Sequence, residues 1–413
     1  MRLNHIYKFF NLQIFKSLSL LVVMMFVSTS CKNLFSKDEV PMDYCIECLH
    51  KYQLSLQQEK NIRDQIHADR KRHQLDSLFT YRAKKLGFNG NVLVIQKGVL
   101  LYENSFGYEN YRKKTPLSAA SKFQLASISK TFTAVAVLHL IEIGKLSLND
   151  SIQSFYPDFP IHNITLKLLL SHRSGLPDYR FAYEDSASLG FGKIDNQMLI
   201  QWMTKNPPPL QFQPDRKFTY CNTNYAVLAA IVEHVTGMKF DVYMQQYILR
   251  PIGLNHTYII TTADTAINSH KTTGYNSNWS EIPRDGFDGI VGDKGVYSTT
   301  EDLQTWYRML NSDCFLKKET LAMAFEPRSF EKQGKKNYGY GFRINEYEPG
   351  KKCIYHNGWW KGYNTAFYTN PQEEYCIIVL GNRFNKSPYM LKEVMQILHE
   401  GSLEDSDTDD GAE

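Results

Sequence analysis

Two apolar runs, Asn91-Val-Leu-Val-Ile95 and Val99-Leu-Leu-Tyr102, are joined through Gln96-Lys97-Gly98, which predicts a β-hairpin. Beyond Ser127 the chain turns apolar for longer, from Thr131 to Ile143, and stops at Gly144-Lys145. That pattern predicts a buried helix with a glycine stop and a cation at its C-terminal end. Ile164 to Leu170 predicts a short helix that runs into the loop Ser171 to Asp178, and Asn224 to Val235 predicts a second apolar helix stopped by Gly237. Apolar runs of strand length then return at Cys353–His356, Asn364–Tyr368 and Tyr375–Leu380, and Lys386–His399 predicts a closing helix. Strands at both ends with helices between them predict an α/β fold. Its antiparallel sheet is assembled from the two termini and flanked by helices, and an all-helical region is inserted between the two sets of strands.

The ends of the chain differ from this middle. Arg2, Lys8 and Lys16 precede the run Leu18 to Val27, which is apolar apart from Ser19. At about ten residues it is shorter than the ~20 needed to span a bilayer. Ser28-Thr29-Ser30 and Cys31 follow, with Ser28 where Leu is usual in a bacterial lipoprotein signal. Residues 1–31 are therefore expected to be such a signal and Cys31 to carry the lipid, tethering an exported protein to a membrane of the cell envelope, periplasmic or outer-surface, without a spanning helix. Residues 32–73, polar and charged, are read as a linker, 74–402 as the folded domain, and the acidic stretch 403–413 as a disordered tail.

The 47 basic and 43 acidic residues leave a net charge of +4, without the clustered basic face that nucleic-acid binding requires. With Cys31 set aside, Cys45, Cys48, Cys221, Cys314, Cys353 and Cys376 remain, and an exported chain can pair them. Cys45 and Cys48 form a CxxC in a charged stretch with no βαβ pattern around it, so the expectation is a local disulfide or two unused thiols.

Three short motifs carry candidate chemistry. Ser-x-x-Lys occurs twice. Ser329-Phe-Glu-Lys332 lies in a polar stretch and reads as surface. Ser127-Ile-Ser-Lys130 opens the buried helix, where residues i and i+3 share a face and the helix dipole favours developing negative charge at its start. Ser127 is thus either a nucleophile served by Lys130 or a simple N-cap. Tyr-x-Asn occurs four times, and only Tyr220-Cys-Asn222 stands directly before a buried helix. His-x-Gly occurs twice; His356-Asn-Gly358 ends a strand and is followed by Trp359-Trp360, whereas His399-Glu-Gly401 ends the last helix. Ser174 is the one tempting rival nucleophile, but it lacks the first glycine of a Gly-x-Ser-x-Gly elbow and is expected to be structural.

The order Ser-x-x-Lys, Tyr-x-Asn, His-x-Gly resembles the penicillin-recognising serine hydrolases, on the class C β-lactamase, D,D-peptidase and esterase side of that family. Phe123–Thr133, Gly144–Asp150, Leu168–Tyr179 and Gly292–Leu303 are also similar to it, so that the resemblance runs from about Gln74 to Leu398. It implies that Ser127 forms an acyl-enzyme, that Lys130 and Tyr220 share the proton transfers, and that Asn222 orients Lys130 and the substrate amide. It further implies that His356 and Gly358 lie on the substrate-binding strand and that the backbone N–H groups of Ser127 and Trp359 form the oxyanion hole. No metal or cofactor is implied; the partner is a small-molecule or peptide substrate, and the chain is read as a monomer. β-Lactamases usually have Lys where this chain has His356, which is charged only part of the time near neutrality. The expectation is accordingly a peptidase or esterase of the envelope, with β-lactamase activity or an acylated-once penicillin sensor as the alternatives.

Overall fold

The computed structural model describes residues 42–182, 194–260, 270–331, 334, 336–348 and 350–400. Cys31 and the signal segment, Lys332, Gly401 and the acidic tail lie outside the described residues.

Three helices come first: α1 (Met42–His50), α2 (Leu56–Gln65) and α3 (Ala68–Lys85). The hairpin follows as β1 (Gly90–Gln96) and β2 (Val99–Phe106), turning through Lys97 and Gly98, both at positive φ (48° and 77°). Two consecutive left-handed residues give the turn whose twist matches the flanking strands, and glycine takes the second position without strain. The helical region then supplies α4 (Ser129–Glu142), α5 (Leu166–Leu170), α6 (Asn196–Lys205), α7 (Asn222–Thr236) and α8 (Thr300–Leu310). The chain closes with β3 (Lys336–Tyr338), β4 (Arg343–Glu348), β5 (Lys351–Trp360), β6 (Tyr363–Asn370), β7 (Tyr375–Gly381) and α9 (Lys392–Leu398).

The main sheet has seven strands in the order β2-β1-β7-β6-β5-β4-β3, antiparallel throughout. The early hairpin joins the late strands through β1 and β7, with Val92 opposite Val379 and Val94 opposite Ile377. Both strands are buried along their whole length, which explains why their sequences are continuous apolar runs rather than alternating ones. One face packs on α3 and α9 through Leu75, Phe79, Val394 and Leu398. The other face receives the helical region, where Trp306 of α8 stacks on Phe132 of α4 at 4.0 Å between ring centroids. Every residue of α4 from Ser129 to Leu140 is buried, as befits a helix apolar on all sides. The expected α/β architecture with an antiparallel sheet from both termini and a helical insertion is the architecture present.

The linker expected over residues 32–73 fails from residue 42 onward. Helix α3 runs straight through the expected boundary, and Lys71 is buried with its Nζ donating to the Leu398 carbonyl (2.7 Å) and to Gln96 Oε1 (3.0 Å). Cys48 pairs with Cys314, 266 residues away, rather than with Cys45, which is buried and unpaired. Tyr52 OH adds a hydrogen bond to Asp313 (3.0 Å). The apolar anchors of this segment, such as Leu49 and Ile66, are scattered among charges, so composition hid a packed face. Among the described residues no helix is long and apolar enough to cross a membrane.

Candidate active site

Ser127 lies in a single 3-10 turn, Ala126–Ile128, immediately before α4. The N-cap reading is not what the geometry shows: no side chain caps α4, and Ser127 Oγ instead lies 3.0 Å from Lys130 Nζ. Lys130 is fully buried, and its Nζ has two further acceptors, Asn222 Oδ1 at 2.8 Å and the Asp293 carbonyl at 2.9 Å. An amine with two N–H bonds fixed on carbonyl oxygens directs its remaining tetrahedral position at Ser127, the arrangement a base needs to take the hydroxyl proton.

Asn222 is the first residue of α7. The loop Ser171–Tyr179 caps this helix from outside, because Cys221 at the N-cap offers no side-chain bond. The Cys221 N–H donates to His172 Nδ1 (3.2 Å), the Asn222 N–H to Asp178 Oδ2 (3.3 Å), and Thr223 Oγ1 donates to the Pro177 carbonyl (2.6 Å) while accepting from the Tyr179 N–H (2.8 Å). Ser174 donates to Asn224 Oδ1 (2.6 Å) and is buried, so the rival nucleophile is part of this cap, as expected.

Tyr220, half-buried, lies on the loop just before α7. Its ring lies 4.9 Å from Lys130 Nζ, 5.1 Å from the Arg343 guanidinium and 4.4 Å from the His172 ring. His172 is fully buried; burial first, then nearby positive charge including Arg343, holds its pKa well below the usual value. With Nδ1 accepting, Nε2 carries the proton, and it has no hydrogen-bond partner among the surrounding rings. Neither His172 nor Arg343 was singled out from the sequence. His172 lies within the loop Ser171–Asp178 with no motif to mark it, and Arg343 has no motif around it.

Strand β5 supplies the opposite wall. Its pairing with β4 ends at Tyr355 opposite Arg343, so the segment from His356 to Trp360 is paired by β6 on one side only. Gly358 is where the nucleophile turn lies on this strand. A Cβ there would come within 2.2 Å of the Leu125 carbonyl oxygen and 2.2 Å of Thr365 Oγ1. Thr365 Oγ1 in turn donates to the Leu125 carbonyl (2.8 Å), pinning the turn that precedes Ser127. Alternation along the strand separates the tandem tryptophans. Trp360 shares the face of Gly358: its Nε1 donates to Asp288 Oδ1 (2.9 Å), and Lys294, Lys361 and Arg180 lie 5.2, 5.7 and 5.9 Å from its ring. Trp359 points to the other face, 52% exposed, with Phe384 at 6.4 Å, so only its backbone lies beside the turn.

His356 also shares the face of Gly358, but the part-time charge expected of it is corrected by its surroundings. The imidazole has no exposed surface, Tyr338 OH donates to Nε2 (3.1 Å), and Nδ1 donates to the Asn357 carbonyl (2.7 Å). Burial, reinforced by Arg343 and Lys130, holds its pKa well below the usual value, so it is neutral. Arg343 is the cation beside Tyr220. It is half-buried and has no acidic partner among the described residues; its electrostatic neighbours are Tyr220, Tyr355, Tyr338 and Tyr368.

This serine–lysine pair, faced by a tyrosine and a glycine-gated strand, sits on a fold shared with known proteins. Residues 75–401 match the Beta-lactamase family. The chain is 32% identical over 335 residues to penicillin-binding protein 4* of Bacillus subtilis, covering 77% of this chain and 73% of that protein. It is 27% identical over 325 residues to Protein flp of Staphylococcus aureus, covering 75% of this chain and 62% of that protein. Among solved structures it superposes on the octameric penicillin-binding protein homologue from Pyrococcus abyssi with a TM-score of 0.69 at 26% identity, covering 79% and 77% of the two chains. Motif order, sheet topology and these matches agree, and the chain belongs to the Beta-lactamase family as a serine hydrolase.

Proposed function

We propose that this protein is a peptidase or esterase of the cell envelope that cleaves an amide or ester through an acyl-enzyme on Ser127. The observation that carries the reading is the 3.0 Å approach of Lys130 Nζ to Ser127 Oγ, with Asn222 and the Asp293 carbonyl holding the other positions of the amine. The hydroxyl proton passes to Lys130 as Oγ attacks the carbonyl carbon, and the backbone N–H groups of Ser127 and Trp359 receive the oxyanion. Tyr220, beside Lys130, relays the proton to the leaving group, and water then releases the acyl group. Export on a lipidated Cys31 supplies the envelope setting.

Arg343 refines the substrate. A guanidinium with no carboxylate partner among the described residues, beside Tyr220, suits a substrate bearing a carboxylate near the scissile bond. This favours peptides ending in a free carboxylate, and β-lactams that imitate them, over neutral esters, and it replaces the charge that His356 does not carry. The test compares turnover of a short D-amino-acid peptide with its C-terminal amide, beside a neutral chromogenic ester and a chromogenic cephalosporin. Continuous turnover with the free peptide ahead of its amide is expected. A single stoichiometric burst on every substrate would instead identify an acylated-once sensor.

A further inference from the structure

Asn222 faces Lys130 with its carbonyl oxygen, and something must hold the amide that way round. Its Nδ2 donates to Asp178 Oδ2 at 2.7 Å, while its backbone N–H reaches the same oxygen at 3.3 Å. The Asp178 carboxylate is itself clamped: Oδ1 accepts from Arg180 Nε (2.9 Å) and from the Arg180 N–H (3.0 Å), and Oδ2 from the second guanidinium nitrogen (3.0 Å). Burial opposes this charge, yet the bonds from Arg180 and Asn222 hold the pKa of Asp178 below the usual carboxylate range.

We infer that Asp178 is a positioning residue for the reaction, fixing the Asn222 amide so that only its oxygen can face Lys130, and that it acts on the base through that amide. A carboxylate accepts and never donates, so the N–H₂ end of Asn222 must turn toward it. The oxygen end is then committed to Lys130. When Lys130 takes the Ser127 proton, positive charge develops on Nζ, and the chain Asp178, Asn222, Lys130 places an anion behind the amide that receives it. Hydrogen bonds in such a chain polarise one another. The logic is that of a nucleophile and base oriented by a third group, here with an amide interposed. Without Asp178 the amide can rotate and present N–H to the amine, which removes an acceptor and adds a donor where the proton must arrive. Thr223, one residue along the same cap, bonds to Pro177 and Tyr179 and touches none of this chain, which makes it the internal control.

The inference rests on the serine–lysine reading above, so acylation of Ser127 in the wild type is established first, and the cycle is run on whichever substrate turns over. Asp178→Ala should lower kcat about ten- to a hundredfold with KM changed less than about threefold, as expected for a group that acts in the transition state, and Asp178→Glu should recover part of the loss. Thr223→Val should lower the melting temperature and leave kcat within about twofold, separating a loosened cap from a misdirected amide. In an Asn222→Ala background, Asp178→Ala should cost no further kcat, because the residue acts through the amide that is gone. Full additivity of the two losses, or unchanged kcat in folded Asp178→Ala, would overturn the proposal, as would a Thr223→Val loss of kcat equal to that of Asp178→Ala.

Discussion

Lys130 and Lys294 are both buried and both contact Asp293, yet their surroundings are opposites. Lys130 takes the Asp293 backbone carbonyl, Asn222 Oδ1 and Ser127 Oγ, and has no carboxylate within ion-pair distance among the described residues. Lys294 donates to Tyr179 OH (2.6 Å), the Ile290 carbonyl (3.0 Å) and the Asp293 carboxylate (3.4 Å), and Tyr179 OH donates to the other oxygen of that carboxylate (2.8 Å). Burial pushes the Lys294 pKa down, and the charges of Asp293 and Asp288 pull against it. One lysine has only neutral hydrogen-bond partners. The other is held as half of a buried ion pair that fixes the loop behind the site. The difference teaches that burial alone does not mark a base; the charge state of its partners does.

The largest expected effect breaks the comparison at Lys130. Lys130→Met removes the base while filling its volume, and should lower kcat/KM on the order of 10²–10⁴-fold, with a loss in urea unfolding of only about 1–3 kcal/mol from the two acceptors left without a donor. Lys294→Met should do the reverse. It leaves the Asp293 carboxylate buried without its cation, a loss of about 3–5 kcal/mol in urea unfolding, while the folded fraction keeps far more activity than Lys130→Met. An inactive but fully stable Lys294→Met protein would exchange the two roles. Arg343→Gln comes next and sharpens the substrate side. Losing a charge-assisted hydrogen bond costs about 1.5–3 kcal/mol, so kcat/KM for a carboxylate-bearing peptide should fall about ten- to a hundredfold, with much less change for a neutral ester.

The smallest effect is on pH. His172 and His356 both have folded-state pKa values depressed by burial, so the unfolded chain binds protons first. Their contribution to stability is therefore fully present above the unfolded imidazole value of about 6.5 and is lost as pH falls below it. Melting temperature should be flat with respect to these groups from pH 7 to 8 and decline below about 6.5, and His356→Gln should reduce that decline. The preference for anionic over neutral substrates should not follow an imidazole titration between pH 6 and 8. A preference that strengthens as pH falls through 6.5 would return the charge to His356.

How far the sequence shows this depends on which forces wrote the pattern. Continuous apolar runs made β1, β7, α4 and α7 legible, because elements covered on all sides leave no polar positions. The order of the three motifs brought Ser127, Lys130, Tyr220 and Asn222 together, and the fold places them so. The fate of His356 was not legible: strand alternation gives its face, but only Tyr338, arriving on β3, and Arg343 on β4 decide that it is enclosed and neutral. Arg343 and Asp178 reach the site by tertiary contact alone. The tandem tryptophans look equivalent in sequence, and a strand sends them to opposite faces. The arm 42–73 was missed because its few apolar anchors are spread among charges and its long-range partner, Cys314, cannot be paired from spacing.

The central claim is that Ser127, activated by Lys130, carries the acyl group. Intact-mass spectrometry with peptide mapping after reaction with a fluorophosphonate, and separately with a penicillin, tests it most directly. One adduct per chain is predicted, on the peptide containing Ser127. It should be lost in Ser127→Ala, slowed on the order of 10²-fold or more in Lys130→Met, and retained at full rate in Ser174→Ala and Ser329→Ala. An adduct that persists in Ser127→Ala, or maps to Ser174 or Ser329, would contradict the account.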